Sequence, residues 1–220
     1  MVIATRTWES TATAQARTDA QATITARTTA TAIAATAETQ AELDFVVASI
    51  TAAQATTPLF GPQSGSLEHT DDGFINALNT SLDVSNFVIE ATFFNPYDTS
   101  EGIWDIGFMF RDGGGNNQYR LVITSDSDWA LDLWEETNIG LQNEGTVHNL
   151  DTGLNGQNRI TLYVNGEIGY FWLNGLFVSR LDLSYRPDSG NIFIGSGFYI
   201  GNEIPGRDTP YQDFTVWAVR

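Results

Sequence analysis

Cysteine and lysine are absent from this 220-residue chain, and glycine is absent from its first sixty residues. Without Cys there are no disulfides and no thiolate metal sites, and the redox compartment cannot be read. Without Lys the basic side chains are ten Arg, set against 27 Asp and Glu, for a net charge of -17. A field of that sign repels phosphate backbones and anionic lipid, so no nucleic-acid partner and no membrane contact by this segment are expected. Cations, neutral sugars and basic partners remain open. No apolar run approaches the ~18 residues that spanning a bilayer needs. Met1-Val2-Ile3 is followed at once by Arg6 and Glu9, so nothing reads as a signal peptide. The abrupt opening on repetitive sequence leads us to expect a segment of a longer protein, with a membrane anchor upstream as one arrangement.

What is present divides the chain in two. Residues 1–57 are built mostly of Ala and Thr, and every glycine lies beyond Phe60. Two periodicities compete in this tract. From Ala12 to Ala34 nearly every even position is Ala or Ile, which reads as an extended strand, but one far beyond the usual five or six residues. The Ala content and the absence of Gly and Pro favour a long helix. A stripe through Ala26, Ala30, Ala34, Ala37, Ala41, Phe45, Ala48 and Ala52 repeats at eleven residues, the spacing of a nearly straight or slightly right-handed coiled coil. So little apolar surface leaves a lone helix marginal, so the stripe is expected to be an oligomer seam. Leu43, Val47 and Ile50 add heptad-like spacing at its end. Thr57-Pro58 then stops the helix.

From residue 58 to 220 the pattern changes to short alternating apolar runs between Gly, Asn, Asp and Pro clusters, as in an all-β sandwich. Strands are predicted at Phe87-Phe94, Trp104-Arg111, Gln118-Thr124, Trp129-Trp134, Arg159-Val164, Gly169-Leu173, Phe177-Leu183, Asn191-Tyr199 and Gln212-Val219. Alternation assigns Phe87, Ile89, Ala91 and Phe93 to one face, then Ile106, Phe108 and Phe110, then Tyr119, Leu121 and Ile123, then Trp129, Leu131 and Leu133. Asn165-Gly166 and Asn174-Gly175 predict two type I′ turns, because both central positions need positive φ.

The runs Phe87-Val88-Ile89-Glu90-Ala91-Thr92-Phe93, Gly107-Phe108-Met109-Phe110-Arg111, Asn117-Gln118-Tyr119-Arg120-Leu121, Ile160-Thr161-Leu162-Tyr163-Val164-Asn165-Gly166 and Gly169-Tyr170-Phe171-Trp172-Leu173-Asn174-Gly175 resemble concanavalin A-like lectin/glucanase jelly rolls. Asp213-Phe214-Thr215-Val216-Trp217 looks like the closing strand of their 3-keto-disaccharide hydrolase-like or laminin-G-like branch. The layout also resembles bacterial surface proteins in which an Ala/Thr-rich tract precedes such a sandwich. The resemblance implies a two-sheet antiparallel head with a ligand-binding face.

Chemistry is sparse. The Glu-x-Asp-x-x-Glu strand of the glucanase members is missing, and the nearest acidic groups are Glu101 with Asp105, Asp112, and Glu135 with Glu136. His69 and His148 are isolated in sequence, which argues against a Ser-His-Asp arrangement and against zinc. No cofactor is expected. Calcium is the ion best suited to the oxygen-rich Asp71-Asp72, Asp126-Ser127-Asp128 and Asp112-Gly113 segments, and laminin-G-like sandwiches can carry one at the rim.

A sugar site would present exposed aromatics beside polar groups at a rim or concave face. The candidates are Tyr97, Trp104, Arg111, Trp134 and Tyr199, with Trp134 out of phase with the Leu131-Leu133 face. The reading that results is a non-enzymatic extracellular or cell-surface binding module, glycan-binding in its first form, on an oligomerising stalk. A structural subunit of a fibre assembled through the tract, and a carbohydrate-active hydrolase, stay open beside it.

Overall fold

The computed structural model describes residues 39–115, 117–135 and 138–219, with residues 138 and 139 by backbone alone. Ala26, Ala30, Ala34 and Ala37 of the expected seam lie outside them. The chain divides into two compact units, Met1–Ala48 and Ser49–Arg220. A helix, α1, covers 39–54. Along it Ala41, Phe45, Ala48 and Ala52 are exposed, whereas Val46, Ile50 and Ala53 form the buried stripe at the i, i+4, i+7 spacing of one helix face. Thr56 closes the helix by donating its hydroxyl to the Ala53 carbonyl at 2.7 Å. Gln54, in the last turn, donates to Glu90 at 3.3 Å, and Glu90 also accepts from Thr161 at 2.8 Å. No helix among the described residues is long and apolar enough to cross a membrane.

Beyond α1 the described residues form twelve strands in two six-stranded antiparallel sheets. Sheet A contains β1 (Phe60–Glu68), β12 (Asp208–Ala218), β3 (Phe87–Phe94), β8 (Gln157–Asn165), β9 (Ile168–Leu173) and β10 (Leu176–Asp182), in that spatial order. Sheet B contains β2 (Asn76–Asn79), β11 (Asn191–Ser196), β4 (Asp105–Asp112), β5 (Gln118–Thr124), β6 (Asp128–Glu135) and β7 (Asn138–Thr146), in that order. The nine predicted strands are present with shifts of a few residues at their ends; Asn191-Tyr199 is shortened to Asn191–Ser196, because Gly197 turns the chain at φ 75°.

The alternating sets fill the space between the sheets as one core cluster. Aromatic pairs bridge it: Phe87 with Phe110 at 6.0 Å between ring centroids, Phe93 with Phe108 at 5.9 Å, and Trp129 with Phe171 at 4.9 Å. Each such ring contributes about 1.5–3 kcal/mol by burial, and the edge-to-face pairs somewhat more.

One turn differs from expectation. Asn174 and Gly175 have φ of 50° and 81° and make the type I′ turn between β9 and β10. Asn165, however, is the last residue of β8 and pairs with Ile168, so the two-residue loop is Gly166-Glu167, with positive φ at Gly166 alone. The glycine at the first loop position supplies the left-handed residue of a II′-like turn.

Candidate functional site

Sheet B presents its second face away from the core, and pairing fixes which residues share it. Gly195, Gly107, Val122, Ala130 and Glu144 lie side by side across β11, β4, β5, β6 and β7. Beside them runs the row Phe193, Met109, Arg120, Asp132 and Leu141. The first row is made largely of small side chains, so it forms a trough. The 197–203 loop, which follows β11, fills one end: Phe198 packs with Met109 and Val122, and a Cβ on Gly195 would come 3.1 Å from its ring. The other end stays open as a cavity of about 390 Å³ lined by Thr124, Asp128, Trp129, Ala130, Glu144, Gly145, Thr146 and Tyr199.

Two buried carboxylates hold Tyr199 at that cavity. Asp105, on β4, accepts from the Phe198 amide at 2.9 Å, from the Tyr199 amide at 3.1 Å and from Asn202 Nδ2 at 3.1 Å. Asp132 accepts from the Tyr199 hydroxyl at 2.8 Å. Burial raises the pKa of Asp105 to about 6, against the lowering effect of these donors. Burial also raises Asp132, and burial together with the Asp132 charge raises the Tyr199 phenol.

Next along the face, Arg120 lies with its guanidinium 3.6 Å from the centroid of the Trp134 ring. With the Gln118 amide turned so that its oxygen faces Arg120, that oxygen accepts from Nε and Nη2 at 2.9 Å. Burial lowers the Arg120 pKa to about 10, partly opposed by the Asp132 charge. The sequence-predicted residues therefore separate. Trp134 and Tyr199 share this face, joined through Arg120 and Asp132.

Tyr97, Trp104 and Arg111 do not reach a ligand surface, and this corrects the expectation that they stand at a rim. Tyr97 is 1% exposed and its hydroxyl donates to the Ile103 carbonyl at 2.7 Å; Trp104 is 0% exposed within the core cluster. Arg111 is also 0% exposed and donates to the carbonyls of Arg186 at 2.8 Å, Ser85 at 3.0 Å and Gly166. Alternation overlooks such cases, because a strand end covered by loops is buried on both faces.

The acidic and histidine candidates are also placed. Glu101 pairs with Arg207 at 2.5 Å on the surface. Asp72 accepts from the Gly201 amide at 2.7 Å, Asp112 from the Gly114 amide at 3.1 Å, and Asp126 from the Thr124 hydroxyl. Among the described residues no group of three or more His, Asp and Glu is arranged to hold a metal. His69 is buried with Nε2 2.8 Å from Thr209 Oγ1, its pKa lowered by burial, while His148 is exposed. Arg120, Asp132, Ala130, Glu144, Thr124 and Thr146 went unnoticed in the sequence. Their signal was the complement of the core set: once Tyr119, Leu121 and Ile123 face inward, Gln118, Arg120 and Thr124 must face out.

No protein-family model matches the sequence, and no curated protein matches it. Solved structures do match the sandwich. The carbohydrate-binding module CBM66 from Bacillus subtilis is 15% identical, with a TM-score of 0.53 over 70% of this chain and 95% of that one. The beta-fructofuranosidase of Aspergillus kawachii is 16% identical, with a TM-score of 0.51 over 77% of this chain and 29% of that one. The fructosyltransferase of A. japonicus is 13% identical, with a TM-score of 0.50 over 72% of this chain and 26% of that one. The chain thus spans little more than a quarter of either fungal enzyme. At these identities the likeness is one of fold. The sandwich has the concanavalin A-like jelly-roll fold that its strand motifs resemble.

Proposed function

We propose that the chain is a non-enzymatic glycan-binding module that uses the outer face of sheet B. The observation that carries this reading is the open cavity of about 390 Å³ walled by Tyr199, with Trp134 farther along the same face. A shallow polar trough beside an aromatic ring suits a sugar, whose C–H faces stack on the ring while its hydroxyls meet polar edges. The likeness to a carbohydrate-binding module supports it at the level of fold.

Binding without turnover is favoured by the absence of the Glu-x-Asp-x-x-Glu strand and by the engagement of the pair that stood nearest to it in sequence: Glu101 is paired with Arg207, and Asp105 is spent on loop amides. We place residues 1–57 as an oligomerising stalk, residues 58–220 as the displayed head, and the protein outside the cell or at its surface. Screening the full chain against neutral, amino and acidic oligosaccharides should give at least one ligand. Tyr199→Ala should weaken it about tenfold, the loss of roughly 1–1.5 kcal/mol of stacking. Binding untouched by Tyr199→Ala, or steady release of reducing ends from the ligand, would overturn the reading.

A further inference from the structure

We propose that the sheet B cavity takes an amino sugar, a glycan residue bearing a free, positively charged amine as in a deacetylated hexosamine. The inference rests on the glycan-binding reading above and narrows it by an inventory of donors and acceptors. Asp128 and Glu144 lie on neighbouring strands and flank Ala130: Glu144 sits directly opposite it, and Asp128 is two residues before it on the same face. Glu144 has no hydrogen-bond or ion-pair partner among the described residues. The Asp128 carboxylate receives a single long bond, from Thr146 Oγ1 at 3.4 Å.

The hydroxyl donors of the lining are already engaged. Thr124 donates to Asp126, Thr146 to Asp128, and Tyr199 to Asp132 at 2.8 Å. Neither Arg, His, Asn nor Gln is among the lining residues, and the chain has no Lys. The walls therefore hold two carboxylates with spare acceptor capacity against a single spare side-chain donor, the indole N–H of Trp129, which has no partner among the described residues.

That asymmetry discriminates between sugar classes. A neutral hydroxyl both donates and accepts, so beyond the one Trp129 N–H its accepting capacity would go unmet by side chains. An acetamido carbonyl or a uronate needs donors, of which the walls offer only the Trp129 N–H, and a uronate would also meet two like charges. An ammonium group has three donors and no acceptor, and so it complements two carboxylates set around a small floor residue. The adjacent Tyr199 ring can face the same cation. The net charge of -17 draws cationic ligands to the surface in general.

Titration calorimetry on the full chain at pH 6 in 50 mM salt tests this, with β-1,4-linked glucosamine oligomers set against N-acetylglucosamine, glucose and galacturonate oligomers of equal length. The glucosamine series should bind at least tenfold tighter than the others, and should lose at least tenfold in Asp128→Asn/Glu144→Gln. The same pair of substitutions should leave the residual affinity for the N-acetylated series within about twofold. Equal affinity for aminated and N-acetylated oligomers at a Tyr199-dependent site would overturn the amine and leave the glycan reading standing. Glucosamine binding indifferent to both the carboxylate substitutions and Tyr199→Ala would be attraction to the overall charge, and would overturn the proposal. No Tyr199-dependent binding of any oligomer would overturn both readings.

Discussion

Arg120 and Arg111 show how differently two buried guanidiniums are employed in one sheet. Arg111 joins three backbone carbonyls at the end of the sandwich, where the bulged end of β4 holds it at φ 52°. Replacing it by Met leaves those carbonyls without donors in a dry site. Unfolding by urea should then show a loss of about 3 kcal/mol or more, with glycan affinity per folded molecule unchanged. An Arg111→Met protein of normal stability that had lost its ligand would contradict the structural role. Arg120 instead couples Trp134 to the cavity wall, since it lies over the ring and close to the Asp132 charge that holds Tyr199. A double-mutant cycle of Arg120→Met with Trp134→Leu should give a coupling of about 0.5–2 kcal/mol. Additive effects would mean that the stacked geometry contributes nothing.

At the scale of the element, the 197–203 loop decides the shape of the trough, and its anchors are acids. Asp105 holds its amides, while the Glu203 carboxylate accepts from Asn76 at 2.8 Å and lies where a Cβ on Gly197 would be, only 2.1 Å from it. Gly197→Ala, strained both by that approach and by φ 75°, should displace the loop and weaken glycan binding more than global stability. Burial raises both Asp105 and Glu203 to about 6, above the ~3.9 and ~4.3 of an unfolded chain. The folded state therefore holds these protons more tightly. Their stabilising effect is complete below about pH 4 and is lost as pH rises through 6, on the order of 2–3 kcal/mol for Asp105. His69, lowered by burial, acts in the opposite sense over the same window. The clean measurement is thus a comparison: between pH 4.5 and 7.5 the Tm of Asp105→Asn should fall less with rising pH than that of the parent. Parallel curves would remove Asp105 from the linkage. The same scale explains what was readable beforehand. Eight of the nine predicted strands are interior and announced themselves because an interior strand of a sandwich must alternate; the ninth, β10, is an edge of sheet A that the Asn174-Gly175 turn marks. Of the three that were not predicted, β1 is an edge of sheet A, and β2 and β7 are the two edges of sheet B. Edges tolerate Pro62, Gly65 and the polar run Asn76-Ala77-Leu78-Asn79, so they carry no period-2 signal. The trough was hidden for a related reason. It depends on Gly107, Gly195 and Ala130 coming into one row, and register between strands distant in sequence is invisible to a reading along the chain.

For the whole molecule the question is valency. A cavity this open, with the half-buried Tyr199 as its aromatic wall and Trp129 largely buried beside it, should bind a single sugar residue weakly, and surface lectins overcome weak sites by repeating them. The face of α1 carrying Ala41, Phe45, Ala48 and Ala52 is exposed, with Phe45 at 68%, and these positions continue the eleven-residue stripe that begins at Ala26. On the proposed reading that face is the seam between copies. Sedimentation of the full chain at tens of micromolar should then give one discrete species of two to four copies. Phe45→Glu/Ala52→Glu should give monomers, because like charges would meet within a contact already short of apolar area. The affinity of each head for a soluble oligosaccharide should not change in that variant, since no residue of α1 lines the cavity. Retention on a glycan-coated surface should fall by a factor of about 10²–10⁴, the gain that linked sites lose when they act singly. A parent chain that sediments as a monomer, or a monomeric variant held on that surface as firmly as the parent, would assign avidity to something other than this helix face.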